Sequence, residues 1–162
     1  MVKRKKGYTP KPFESAMHIT LKNGKSRGDT FANIYESMLL SSAWQDLSIR
    51  QRLLYLYCKS QYYSEKNYEL KGKDNNPTIF TMNQYKWCKK YKLYSIGNKN
   101  QFYKDMDGLI SHGFIKCLEC GALARKKNVY AFSDKWQIWG NENFKIERSE
   151  MTYRMIKSIE PE

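Results

Sequence analysis

At 162 residues the chain is long enough for one domain with a real core and short for two. Hydrophobic content of 41% and aromatics at 15% exclude wholesale disorder, and no apolar run approaches the ~20 residues that a membrane helix needs. The formal net charge of +13 points to a polyanionic partner, either nucleic acid or an acidic membrane surface.

That charge is unevenly placed. Residues 1–28 hold eight Lys/Arg against one acid, Glu14. Residues 81–130 hold ten against three, Asp105, Asp107 and Glu119, and the rest is close to neutral. The first of these segments reads as a basic flexible arm, punctuated by Gly7, Pro10, Pro12, Gly24 and Gly28, with a short strand at Met17–Leu21. Its cations Lys3, Arg4, Lys5 and Lys6 suit phosphates or a groove. Gly7-Tyr-Thr-Pro follows them where a signal peptide would have an apolar core, so a cytoplasmic protein is expected.

Residues 29–140 read as the main domain. Thr30 can cap a first helix running to Trp44, with Phe31, Ile34, Met38 and Leu39 at helical spacing. Asp46-Leu47-Ser48 breaks it. Ser48 and Gln51 match a capping box, and the helix Ile49–Tyr63 is expected to bury Ile49, Leu53, Leu54, Leu56, Tyr57 and Cys58. Ser64–Pro77 is polar and reads as a loop, followed by a short extended piece at Thr78–Phe80. Thr81 and Gln84 form a second capping-box signal, opening a helix with Tyr85 and Cys88 on one face and Lys86, Lys89, Lys90 and Lys92 along it. Leu93–Gly97 is the turn, with Gly97 supplying backbone freedom before a third cap signal at Asn98 and Gln101.

The helix from Lys99 to about Ser111 puts Phe102, Met106, Leu109 and Ile110 on one side and Asn100, Lys104, Asp107 and Ser111 nearly opposite. His112-Gly113 ends it, Gly113 being the left-handed residue. Ile115–Glu119 and Asn128–Phe132 are β-prone and flank a loop with Gly121 and Arg125-Lys126-Lys127. Residues 141–162 form an extension with one further helix at Ser149–Ile159. Its apolar face of Met151, Met155, Ile156 and Ile159 can pack on the core or, in a homodimer, on another subunit.

The sum is a mainly α domain with a small antiparallel β wing, in the element order of a winged helix-turn-helix. In that arrangement the second helix enters the major groove with its N-terminal half. Here that half carries Lys99, Asn100, Gln101, Tyr103 and Lys104. Asn and Gln can pair bidentately with adenine, and Lys can reach guanine or phosphate. Lys86, Lys89 and Lys90 are placed for the phosphate backbone, and Arg125, Lys126 and Lys127 for phosphates or a minor groove. Double-stranded DNA is favoured over single strands, because Tyr and Trp fall mostly at core spacing. The rival reading is a protein-interaction adaptor on the same fold.

Other chemistry finds little support. Cys117-Leu-Glu-Cys120 has the spacing of half a zinc site, but Cys58 and Cys88 stand apart, and only His112 offers a third ligand. No metal or cofactor is therefore expected. Asn23-Gly-Lys-Ser26 resembles the end of a phosphate-binding loop, yet Ile19 stands where its first Gly belongs. His18 and His112 lie far apart, and no Tyr has an evident base beside it, so no enzyme is expected.

From Thr30 to Trp139 the chain resembles the winged-helix proteins of Gram-positive plasmids, conjugative elements and phages. The likeness rests on Phe31-Ala-Asn-Ile-Tyr-Glu-Ser-Met, Ser48-Ile-Arg-Gln-Arg-Leu-Leu-Tyr, Asn100-Gln-Phe-Tyr-Lys-Asp-Met, Ser111-His-Gly-Phe-Ile and Asn128-Val-Tyr-Ala-Phe-Ser-Asp-Lys-Trp. It implies a DNA-binding accessory in replication, DNA transfer or transcriptional regulation, with a relaxase or a replication protein as a further partner. Two departures stand out: initiators of this kind often carry a second winged helix, and Cys117 and Cys120 are unusual in the wing.

Overall fold

The structure, a computed structural model, describes residues 18–20, 23–24, 26–28, 32–61, 79–122 and 126–160. The chain divides into two units, Met1–Phe31 and Ala32–Glu162. Lys3, Arg4, Lys5 and Lys6, the Thr30 cap, the 64–77 loop and Arg125 lie outside the described residues.

In the first unit, β1 (His18–Thr20) pairs antiparallel with β2 (Ser26–Gly28), His18 opposite Gly28. Of the strand expected at Met17–Leu21, His18–Thr20 form one half of a hairpin. Of the segment that resembles a phosphate-binding loop, Asn23 and Gly24 lie between the strands, Gly24 with φ +76°, and Ser26 begins β2.

The second unit is mainly helical with a small three-stranded sheet. Its first helix differs from expectation. In place of one helix to Trp44 there are two short ones, α1 (Glu36–Leu39) and α2 (Ser42–Asp46). Ser41 divides them, because its side chain accepts the Trp44 amide and so caps α2 afresh. Helix α3 (Ile49–Lys59) begins at the expected capping box. The Ser48 amide donates to Gln51 Oε1 at 2.8 Å, and the Gln51 amide donates back to Ser48 Oγ at 3.3 Å. Its buried face is narrower than expected. Leu54, Tyr55 and Cys58 are buried, Tyr57 is half-buried, and Ile49, Leu53 and Leu56 are exposed.

After β3 (Ile79–Phe80), the next helical segment starts later than Thr81. Asn83 is the cap: its Oδ1 accepts the Lys86 amide at 3.0 Å. Residues Tyr85–Lys90 then wind as a single π-helical turn, with the Tyr91 amide reaching the Lys86 carbonyl. The residue this segment buries is Trp87, and Tyr85 is exposed. Backbone freedom in the turn falls on Lys92 at φ +52°, the one non-glycine with positive φ among the described residues, and not on Gly97. A 3-10 turn (Ile96–Asn98) leads into α4 (Lys99–Ser111). Asn98 makes no side-chain cap bond there, and Gln101 is turned to Asp105.

Helix α4 buries Phe102, Met106, Leu109 and Ile110 as expected, and Asp105 with them. It packs against α3. Phe102 stacks on Trp87 with centroids 4.8 Å apart, an arrangement worth ~1 kcal/mol beyond area burial. The helix stops at Gly113, whose φ of +75° an L side chain rarely adopts. His112 is no candidate metal ligand here. Its Nε2 meets Asp46 Oδ2 at 2.8 Å, its Nδ1 meets the Gly108 carbonyl at 2.7 Å, and its ring stacks on Trp139, tying the end of α4 to α2.

Strands β4 (Ile115–Glu119) and β5 (Val129–Phe132) complete a sheet of order β3-β5-β4, antiparallel throughout. Ile79 faces Ala131, Lys116 faces Ala131 from the other side, and a bulge falls between Cys117 and Glu119. Phe114, just before β4, packs on Trp44, Tyr55 and Trp136. A 3-10 turn (Lys135–Ile138), another (Arg148–Glu150) and α5 (Tyr153–Ile159) end the chain. No helix among the described residues is long and apolar enough to cross a membrane.

Candidate nucleic-acid interface

The first turns of α4 present Lys99, Asn100 and Lys104 to solvent. Tyr103 is half-buried between them, and burial raises its phenol. Lys99 Nζ lies over its ring, 5.9 Å from the centroid.

Gln101 has a different task from the one expected at the sequence level. Its amide donates to Asp105 Oδ1 at 2.8 Å, while the Tyr94 hydroxyl donates to Asp105 Oδ2 at 2.7 Å. Asp105 is only 4% exposed, so these bonds are what makes its burial affordable. Burial, then the hydrogen bond and charge of Asp105, push the Tyr94 phenol up. The Tyr94 bond ties the turn before α4 to the buried Asp105 of the helix.

Lys89 and Lys90 are exposed, but Lys86 is not presented in the same way. Its Nζ donates to the Thr81 carbonyl at 2.7 Å. Burial lowers its pKa, partly opposed by Tyr91, with the nearby charges of Lys90 and Lys127 lowering it further. The helical segment and the β4–β5 loop thus bring their cations close to one another.

That loop is pinned at its base. The Lys126 amide donates to the Gly121 carbonyl, the Gly121 amide to Asn128 Oδ1, and Asn128 Nδ2 to the Tyr130 hydroxyl. A Cβ on Gly121 would stand 2.2 Å from the Lys126 carbonyl oxygen, so the closure requires glycine. Lys126 and Lys127 remain exposed.

Four of the expected contact residues, Lys99, Tyr103, Lys126 and Lys127, line one open cleft of about 440 Å³. Lys104 lines an adjoining groove with Ser111, and Asp107 lines both. Lys89 and Lys90 do not line this cleft. The cleft also holds Tyr153 and Arg154, which sequence reasoning missed. The only signal available was an arginine in a stretch whose overall charge is mildly acidic.

The two cysteines of β4 and its end are unalike. Cys117 is buried, and burial together with Cys120 pushes its thiol up to about 12. Cys120 is exposed, and its Sγ accepts the Tyr153 amide at 3.2 Å. No cluster of three His, Cys, Asp or Glu side chains suited to a metal ion occurs among the described residues.

No protein-family model, no curated protein and no solved structure matches the chain.

Proposed function

We infer that the chain is a winged helix-turn-helix protein that binds double-stranded DNA without catalysing a reaction. The observation that carries this reading is the convergence of Lys99, Lys126 and Lys127 from two elements on one cleft. Like charges gathered this closely repel one another, and a polyanion relieves the repulsion. In this reading α4 is the recognition helix and the β4–β5 hairpin is the wing. Asn100 reads a base edge, Lys99 and Lys104 reach guanine or phosphate, and Lys126 and Lys127 hold the backbone. Lys89 and Lys90 add phosphate contacts, whereas Gln101 and Lys86 chiefly position the surface. The resemblance described above favours a setting in a plasmid, conjugative element or phage, in replication, transfer or transcriptional control.

A preferred sequence selected from a random duplex pool supplies the test. Lys126→Ala should weaken all duplexes about equally, while Asn100→Ala should cost about 1–3 kcal/mol mainly on the preferred one. Equal losses from both changes on every duplex would remove base reading from α4.

A second reading, a protein-interaction adaptor, is favoured by one observation. Ile49, Leu53 and Leu56 are exposed and share a face of α3. Such a protein would show no duplex affinity, which separates the two.

A further inference from the structure

The polar face of α4 contains one carboxylate that does not belong on a phosphate-binding surface. Asp107 lies on the stripe with Asn100, Lys104 and Ser111, and it lines the same cleft as Lys99, Lys126 and Lys127. A bare carboxylate at that place would repel a backbone phosphate. Asp107 is not bare. Thr152 Oγ1 donates to its Oδ1 at 2.8 Å, and Arg154 Nε donates to its Oδ2 at 2.8 Å. Arg154 Nη1 also reaches the Asn100 carbonyl at 3.4 Å. Both partners of Asp107 come from the start of the C-terminal helix.

The pair is asymmetric. The Arg154 side chain keeps 42% of its surface exposed and Asp107 keeps 15%, so the cation faces outward and the carboxylate inward. A guanidinium has five N–H donors in a fork that suits phosphate, and the contacts above use two of them. Tyr153 and Tyr103 both line the cleft and give it aromatic surface. A space of about 440 Å³ is of the size that takes a nucleotide unit rather than a lone ion.

Resting on the duplex-binding reading, we propose that α5 is the third wall of the nucleic-acid site, with Arg154 cancelling Asp107 and holding a backbone phosphate between α4 and the β4–β5 loop. The C-terminal extension is then part of the binding surface and not a cover over it.

Two fluorescent probes at one salt concentration test this: a blunt mixed-sequence duplex and a 5′-phosphorylated thymidine trinucleotide. Arg154→Ala should lose about tenfold in duplex affinity, because it removes a cation and bares Asp107. The double variant Asp107→Asn/Arg154→Ala should recover part of that loss, the part due to the bared carboxylate, and stay several-fold weaker than Asp107→Asn because the phosphate contact is gone. Melting curves check that each variant is folded. If the single variant does not fold, the double variant is compared with Asp107→Asn alone, and it should bind the duplex several-fold more weakly. Duplex affinity that is unchanged or higher in Arg154→Ala overturns the proposal, and a rise would make α5 a cover. Trinucleotide binding that depends on Arg154, with no duplex binding by the wild type, would keep the site and remove the duplex reading.

Discussion

The two long helices treat their apolar residues differently. Helix α4 buries Phe102, Met106, Leu109 and Ile110 and gives the opposite side to polar residues. Helix α3 buries Leu54, Tyr55 and Cys58 yet leaves Ile49, Leu53 and Leu56 exposed. Periodicity states which residues share a face, but it does not state what lies against that face. For α4, the hydrophobic side meets α3 and Trp87, and the polar side meets the C-terminal helix through Asp107. Every side of α4 therefore has an assigned neighbour or a proposed ligand, whereas α3 has an apolar stripe without a described cover.

The largest expected effect sharpens that contrast directly. Leu54→Ala, at a fully buried position, should cost about 2–5 kcal/mol in denaturant melts. Leu53→Ala, one residue away on the exposed side, should cost about 0.5 kcal/mol. Equal losses would break the comparison and place a packed neighbour over the α3 stripe.

A smaller effect tests how firmly the C-terminal stretch is attached. Glu150 pairs with Lys135, just before Thr152 and α5. Burial raises its carboxyl, but the Lys135 hydrogen bond and charge and the Glu147 amide outweigh this and lower it on balance. A carboxyl held lower in the folded state stabilises the fold above its unfolded value of about 4.3 and loses that contribution as pH falls through the folded value. Wild type should therefore be more stable than Glu150→Gln at neutral pH, with the gap closing in acid. A gap that persists unchanged at pH 2 would show that the ion pair does not anchor the stretch.

What could be read from the sequence was mostly local. The Ser48–Gln51 box, the Gly113 stop, the core side of α4 and the strands around the basic loop all depend on residues within a few positions of one another. The missed features depend on contacts or on backbone choices without a sequence marker. Ser41 divides the first helix because it competes for the Trp44 amide. Lys92 takes the left-handed conformation that Gly97 was better suited to supply. Gln101 has the composition of a base-reading side chain, but a buried Asp105 claims it. The partners of Asp107 lie 45 and 47 residues away, so no periodicity could have joined them.

The central claim is that the cationic surface around α4 and the β4–β5 loop binds duplex DNA through its phosphates. Duplex affinity measured across a salt series tests this most directly. Lys89, Lys90, Lys99, Lys104, Lys126 and Lys127 are all exposed. With about six phosphate contacts, affinity should fall roughly 10³-fold between about 50 and about 200 mM salt. An affinity that stays flat across that range, or no duplex binding at the low-salt end, would contradict the account.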